Sequence, residues 1–173
     1  MRNHMKKSVL FLALFTLLGA FNSLPAQDKP RESEKATASG KVGSTEVSIA
    51  YGSPAVKGRE IWGKLVPYGQ VWRAGANEAT TIEFSREVKI EGKTLSAGKY
   101  GFFVIPNEKE WTIIFNKVPN QWGAFKYDAA QDALRVNVKP KKAKAMTEKL
   151  AYTVGKNGVS LLWENLEVSI RVK

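Results

Sequence analysis

The chain contains no cysteine, and its one histidine, His4, stands four residues from the start. No disulfide can form, so stability has to come from an ordinary apolar core. Beyond residue 4 there is neither thiolate nor imidazole. That excludes a Ser-His-Asp triad, a Cys nucleophile and the usual zinc, copper, haem and iron–sulfur sites. Aspartate is scarce too. Asp28, Asp128 and Asp132 are the only three, and none begins a calcium-loop pattern. No amphipathic helical stretch of 10–15 residues alternates with strand patterns, which disfavours an α/β fold. The chemistry left open is that of carboxylates, Lys, Tyr or Ser, and no cofactor is expected.

What the chain does have is positive charge. It carries 27 Lys and Arg against 16 Asp and Glu over 173 residues, a formal net charge of +11. The lysines are spread along the sequence, apart from Lys139, Lys141, Lys142, Lys144 and Lys149. No recognised nucleic-acid module or basic helix accompanies them, so nucleic acid is not an expected partner. The charge reads instead as solubility and protection of sheet edges.

The first 26 residues have the layout of a secretory signal peptide. Arg2, Lys6 and Lys7 give a basic start, an apolar run extends from Val9 to Phe21, and Leu24-Pro25-Ala26 ends in a small residue. The competing reading is an uncleaved anchor, but the run is short of the roughly 20 residues a bilayer span needs. No Cys follows it to carry a lipid. Cleavage is expected after Ala26, which would remove His4 and leave a periplasmic or secreted chain without a transmembrane segment. Residues 27–43 are polar and lack apolar periodicity, so they read as a flexible linker.

From Thr45 onward the period is two. Val47, Ile49 and Tyr51 alternate with polar or small residues, and Gly52-Ser53-Pro54 ends the run. Residues 52–78 form one long irregular loop, with a short helical turn expected around 59–65. Further strand patterns cover 80–84, 88–90, 94–95, 134–138, 150–154, 159–163 and 166–172. Tyr100 to Ile105 is apolar on both faces and fits a central strand buried twice. Trp111 to Phe115 follows a Pro-Asn turn, and Asn157-Gly158 marks a hairpin. The lysine-rich segment at 139–145 reads as a loop or a guarded edge. Such spacing predicts one all-β domain over 44–173, an antiparallel sandwich or barrel of about nine strands.

The string from Tyr51 to Thr80, YGSPAVKGREIWGKLVPYGQVWRAGANEAT, is long and specific. With AGKYGFFVIP (97–106), WTIIFNK (111–117), QWGA (121–124) and LRV (134–136), it resembles a family of secreted bacterial proteins known as domain of unknown function 2911. The resemblance runs over about residues 45 to 173 and implies an origin in Bacteroidetes-like bacteria. It implies no activity, ligand or catalytic residue. Members are sometimes labelled asparagine synthetases, but this chain has neither the nucleophilic Cys nor the phosphate-binding glycine loop such a label requires.

The same string is the best candidate site. It gathers Tyr51, Trp62, Tyr68 and Trp72 with Arg59, Arg73, Asn77 and Glu78. Rings beside guanidinium forks suit sugars, carboxylates or peptides. The competing reading is that Trp62 and Trp72 plug one end of the sandwich while Arg59 and Arg73 pair with Glu60 and Glu78. A second cluster, Asn116, Lys117, Gln121, Trp122, Gly123, Tyr127 and Asp128, would add Trp122 as a wall if both clusters meet. The leading expectation is a non-catalytic binding domain for an unknown small molecule, glycan or peptide, either monomeric or paired through a sheet edge. The alternatives are a carboxylate hydrolase acting on glycans, which needs two carboxyls facing one cleft, and a structural envelope protein.

Overall fold

The computed structural model describes residues 32–173, and the expected signal peptide and the start of the expected linker lie outside them. The described residues form ten strands and a single 3-10 turn at Ala129–Gln131. β1 (Glu34–Val42), β2 (Thr45–Ser53), β3 (Thr80–Phe84), β6 (Gly98–Ile105), β7 (Trp111–Asn116) and β8 (Asp132–Val138) make one antiparallel sheet in the order β1-β2-β3-β6-β7-β8. The second layer consists of two hairpins. β9 (Lys141–Gly155) pairs with β10 (Gly158–Arg171), and β4 (Val88–Ile90) pairs with β5 (Lys93–Leu95). Hydrogen bonds between Lys89 and Lys173 (2.7 and 3.0 Å) join β4 to the chain just beyond β10. Beyond β2 the chain also crosses to this layer, where the Val56 amide donates to the Glu148 carbonyl at 2.8 Å.

The layers close on one core. Val47, Ile49, Ile82, Phe84, Phe102, Val104, Trp111, Ile113 and Phe115 from the large sheet meet Leu150, Tyr152, Val159, Leu161, Trp163, Val168 and Ile170 from the small one. This is the expected all-β antiparallel sandwich. It is open rather than a closed barrel, with β1 and β8 as the outer strands of the large sheet. β6 is buried on both faces. Phe102 and Val104 enter the main core, while Phe103 packs on the outer side with Ile114 and Ala79 beneath Val71, Ala124 and Tyr127. Each such side chain, fully buried, contributes about 1.5–3 kcal/mol.

Four local expectations are corrected. Most of the expected linker is β1, which pairs with β2 along its whole length from Glu34↔Ser53 to Val42↔Thr45. Its inward positions are Ala36, Ala38, Gly40 and Val42, so the alternation lacks hydropathic contrast. They are small because β9 lies close by: a Cβ on Gly40 would sit 3.0 Å from Val154 Cβ. The two C-terminal runs are one strand, β10. Buried positions shift from 159, 161 and 163 to 168, 170 and 172, a change of phase caused by a bulge at Glu164, whose φ is +54°. No helix forms at 59–65. The Val66 amide closes a turn onto the Ile61 carbonyl at 2.9 Å, with Gly63 at φ +82°. The lysine-rich segment is the first half of β9, and Lys141 and Lys142 pair with Glu167 and Leu166.

The long loop is locked to the sandwich at Gly52. A Cβ there would lie 2.2 Å from the Ala76 carbonyl oxygen, and one on Gly75 would lie 2.7 Å from Thr80 Oγ1. Gly52→Ala should therefore cost about 3 kcal/mol. Gly43→Ala, at φ +59° in open space, should cost only about 1 kcal/mol. Equilibrium urea denaturation of both variants checks the contrast.

Candidate functional site

The loop between β2 and β3 is held by backbone pairing. Trp72 and Val104 exchange hydrogen bonds of 2.8 and 2.9 Å, so residue 72 continues alongside β6 where β3 has ended. The Thr80 amide donates to the Arg73 carbonyl at 3.1 Å and closes the neck of a tight turn over 73–80. Inside that turn Ala74 takes φ +52° and Asn77 φ +64°, conformations unusual for residues with a side chain. The Ala74 carbonyl accepts hydrogen bonds from two buried hydroxyls, Tyr152 Oη at 2.7 Å and Thr80 Oγ1 at 2.9 Å. The strained turn is thus braced from the core.

Four of the five tryptophans meet under this loop. Trp62 lies 4.8 Å from Trp111, 5.7 Å from Trp163 and 5.9 Å from Trp72, measured between ring centroids. Trp72 stacks on Trp163 at 5.8 Å with ring planes 16° apart. Each contact adds about 0.5–1.5 kcal/mol beyond area burial. Nε1 of Trp62, Trp111 and Trp163 is buried without an acceptor. Trp62 is therefore a plug of the sandwich end and lines neither depression described below. Trp72 is part plug and part wall.

The predicted residues divide between two depressions. Arg59, Trp72, Arg73 and Asn77 line a cavity of about 250 Å³, joined by Lys57 and Trp163. Tyr51, Glu78 and Trp122 line a separate groove of about 390 Å³. Tyr51 reaches it from β2 while its ring packs edge-on against Tyr152 at 4.8 Å. Tyr68 belongs to neither and covers Gly63.

In the cavity the arginines do not pair with Glu60 or Glu78. Arg59 is spent on backbone, with Nε donating to the Val56 carbonyl at 3.0 Å and Nη2 to the Ala55 carbonyl. Asn77 Nδ2 donates to the Ser33 carbonyl at 3.2 Å. Arg73 is different. Its Nε is buried without a hydrogen-bond partner, and among the described residues no carboxylate forms an ion pair with it. Burial pulls its guanidinium below its ordinary pKa, although it stays charged at any working pH. Lys57 at the rim is paired with Glu32 at 3.1 Å. The hydrogen bond and charge of Lys57 draw the Glu32 carboxyl below its usual range, the opposite of a raised catalytic acid. Among the described residues each depression holds a single carboxylate, Glu32 or Glu78, whereas carboxylate hydrolysis uses two. Among the described residues no three His, Asp or Glu side chains converge as a metal site.

The two sequence clusters do meet, through backbone. Glu78 and Trp122 form an antiparallel bridge. The Ala79 amide donates to the Gln121 carbonyl at 2.9 Å, and the Gly123 amide to the Asn77 carbonyl at 3.1 Å. The rest of the second cluster braces this loop. Asn116, fully buried, donates to the Asp128 carbonyl and to Asp132 Oδ1, and its Oδ1 accepts from the Val118 amide. Tyr127 Oη donates to Asp132 Oδ2 at 2.6 Å, and Arg135 binds both. Asp132 and Arg135 were missed because they sit on β8, outside the loop pattern. Lys57 was missed as one lysine among many.

The site and fold together define an all-β sandwich domain with two loop-borne depressions and no assembled catalytic constellation among its described residues. The chain belongs to the family described as "Protein of unknown function (DUF2911)", whose family model matches residues 33–172 and so takes in β1. No curated protein and no solved structure matches it.

Two measurements test this description. Trp72 is half-buried, so Trp72→Ala should lower stability by about 2–3 kcal/mol, less than a fully buried large-to-small change, read by chemical denaturation. Alkaline pH should also destabilise the fold. Burial, then the hydrogen bond to Asp132, pushes Tyr127 up to about 12 against the opposing effect of Arg135. Tyr152 is raised well above its ordinary value, chiefly by burial. Because the native phenols hold their protons longer than unfolded ones, stability should be flat up to about pH 10 and fall beyond it. Melting temperatures across pH 8–12 read the effect, and Tyr127→Phe should make the fall shallower.

Proposed function

We propose that this protein is an exported, non-catalytic binding domain whose ligand presents an anionic group to Arg73. The observation that carries the reading is the unpartnered guanidinium. A partly buried cation without a counter-charge costs free energy, and a carboxylate or phosphate in the cavity would offset that cost with charge-assisted hydrogen bonds. The cavity is built for retention. Trp72 and Trp163 supply an apolar wall, and Arg59 adds a second positive charge held by its own backbone contacts. The turn that carries Arg73 is fixed by the Trp72–Val104 and Thr80–Arg73 hydrogen bonds, so little ordering remains to be done on binding. Export rests on the signal-like first 26 residues, whose basic start, apolar run and small-residue end match a secretory leader.

The test is a thermal-shift series with phosphate, succinate and citrate at millimolar concentration, against chloride at matched ionic strength. At 100 times its dissociation constant an anion should stabilise the native state by about 2.7 kcal/mol. Arg73→Ala should lose the shift. Without anion, that variant should melt no lower than the unchanged protein, because an unpaired cation has been removed from a partly buried position. Equal shifts in protein and variant would place anion binding elsewhere, and no shift with any of the three would remove the anionic reading.

A further inference from the structure

We propose that the groove beside Trp122 is a second, independent binding site, and that its ligand is a neutral pyranose unit of a glycan chain. No described residue lines both this groove and the Arg73 cavity, so the proposal does not depend on the anion reading.

The argument starts from register. Thr37 pairs with Ala50, Ala50 with Thr81, and Thr81 with Gly101, a row that crosses β1, β2, β3 and β6. Neighbours in register share a face, and this one is opposite Ile49 and Ile82, which enter the core. The outer face therefore carries a strip of four small residues. At Gly101 the strip is covered by the following loop, since a Cβ there would lie 2.8 Å from the Val118 carbonyl oxygen. The remaining three form an uncovered floor, and the loop between β7 and β8 places Trp122 beside it.

Trp122 is 61% exposed, yet its backbone is pinned on both sides by the 77–79 segment. A large ring displayed to solvent from a fixed backbone is a preorganised platform. It differs from the other four tryptophans, which pack against one another. Around the floor stand the hydroxyls of Thr37 and Thr81, the amide of Asn120, and Lys35 paired with Glu78 at 3.6 Å. These groups favour a neutral ligand rich in hydroxyls, because among the described residues the one lysine and the one glutamate that line the groove already face each other. Ala50 and Thr81 lie on strands paired on both sides, so a peptide could add as a strand only along the outer strand β1 and not across the floor. A sugar fits the remaining features. Its C–H face lies on the indole, its hydroxyls meet the polar rim, and the flat floor accepts a ring without a bulky side chain in the way. The volume, about 390 Å³, is in the range of small-ligand sites.

The experiment is titration of the purified protein with cellohexaose, laminarihexaose, mannohexaose and N-acetylchitohexaose, with hexagalacturonate as the charged comparator. Tryptophan fluorescence and calorimetry provide the readouts. At least one neutral hexasaccharide should bind and perturb the emission. Trp122→Ala should weaken that binding at least tenfold, and Ala50→Trp, which fills the floor from an exposed strand position, should do the same with the indole intact. Loss of affinity in either variant, with an unchanged melting temperature, supports the site. The proposal is overturned if no neutral sugar binds, if only hexagalacturonate binds, or if both variants bind as well as the unchanged protein.

Discussion

The backbone of β2 and the backbone of the 73–80 turn touch at Gly52, and the Ala76 carbonyl occupies the space a side chain would need. This contact, with the Trp72–Val104 pairing and the two hydroxyls on the Ala74 carbonyl, turns a long irregular loop into a rigid part of the sandwich. Both depressions follow from it. On one side of the turn, Arg73, Gly75, Ala76 and Asn77 wall the Arg73 cavity. On the other, residues 78 and 79 hold the Trp122 loop against the outer sheet face. Loosening the glycine contact would let both change shape together.

Beneath the turn, aromatic packing substitutes for the disulfides this chain lacks. Trp62, Trp72, Trp111 and Trp163 come from two loop positions and from both layers, so their contact ties the loop to the large sheet and to β10 at once. Three indole N–H groups go without an acceptor, a cost of about 1–3 kcal/mol each in the general case. The area buried by four rings outweighs it. This assigns Trp62 to structure, and it explains how a polar cavity can sit directly above the core.

The polar side chains of the loops fall into two kinds. Most are used up internally. Arg59 satisfies backbone carbonyls, Asn77 holds the start of β1, and Asn116, Tyr127, Asp132 and Arg135 form one closed network. Such groups keep irregular backbone buried without leaving its polar atoms unpaired. A few are left over. Among the described residues Arg73 has no ion-pair partner, and Trp122 has apolar surface without cover. These leftovers, rather than the abundance of aromatic and basic residues in the 51–80 string, are what single out positions for ligands.

Composition and period determined the all-β class, the doubly buried β6 and most strand positions, because the apolar pattern of a strand is a local property. They also marked the 51–80 string and Trp122 as unusual, whereas the family was legible only as a resemblance of that string and its companion segments. β1 stayed hidden because its inward residues are small, and they are small because β9 approaches from the other layer. The bulge at Glu164 stayed hidden because a phase change looks like a turn when only one strand is in view. The sorting of Arg59, Trp62, Trp72, Arg73, Asn77 and Glu78 into plug, brace, cavity and groove was decided only by the tertiary structure. Whether a guanidinium finds a carbonyl or an indole finds a neighbour depends on segments far apart in the chain, and pairings of that kind leave no period in the sequence.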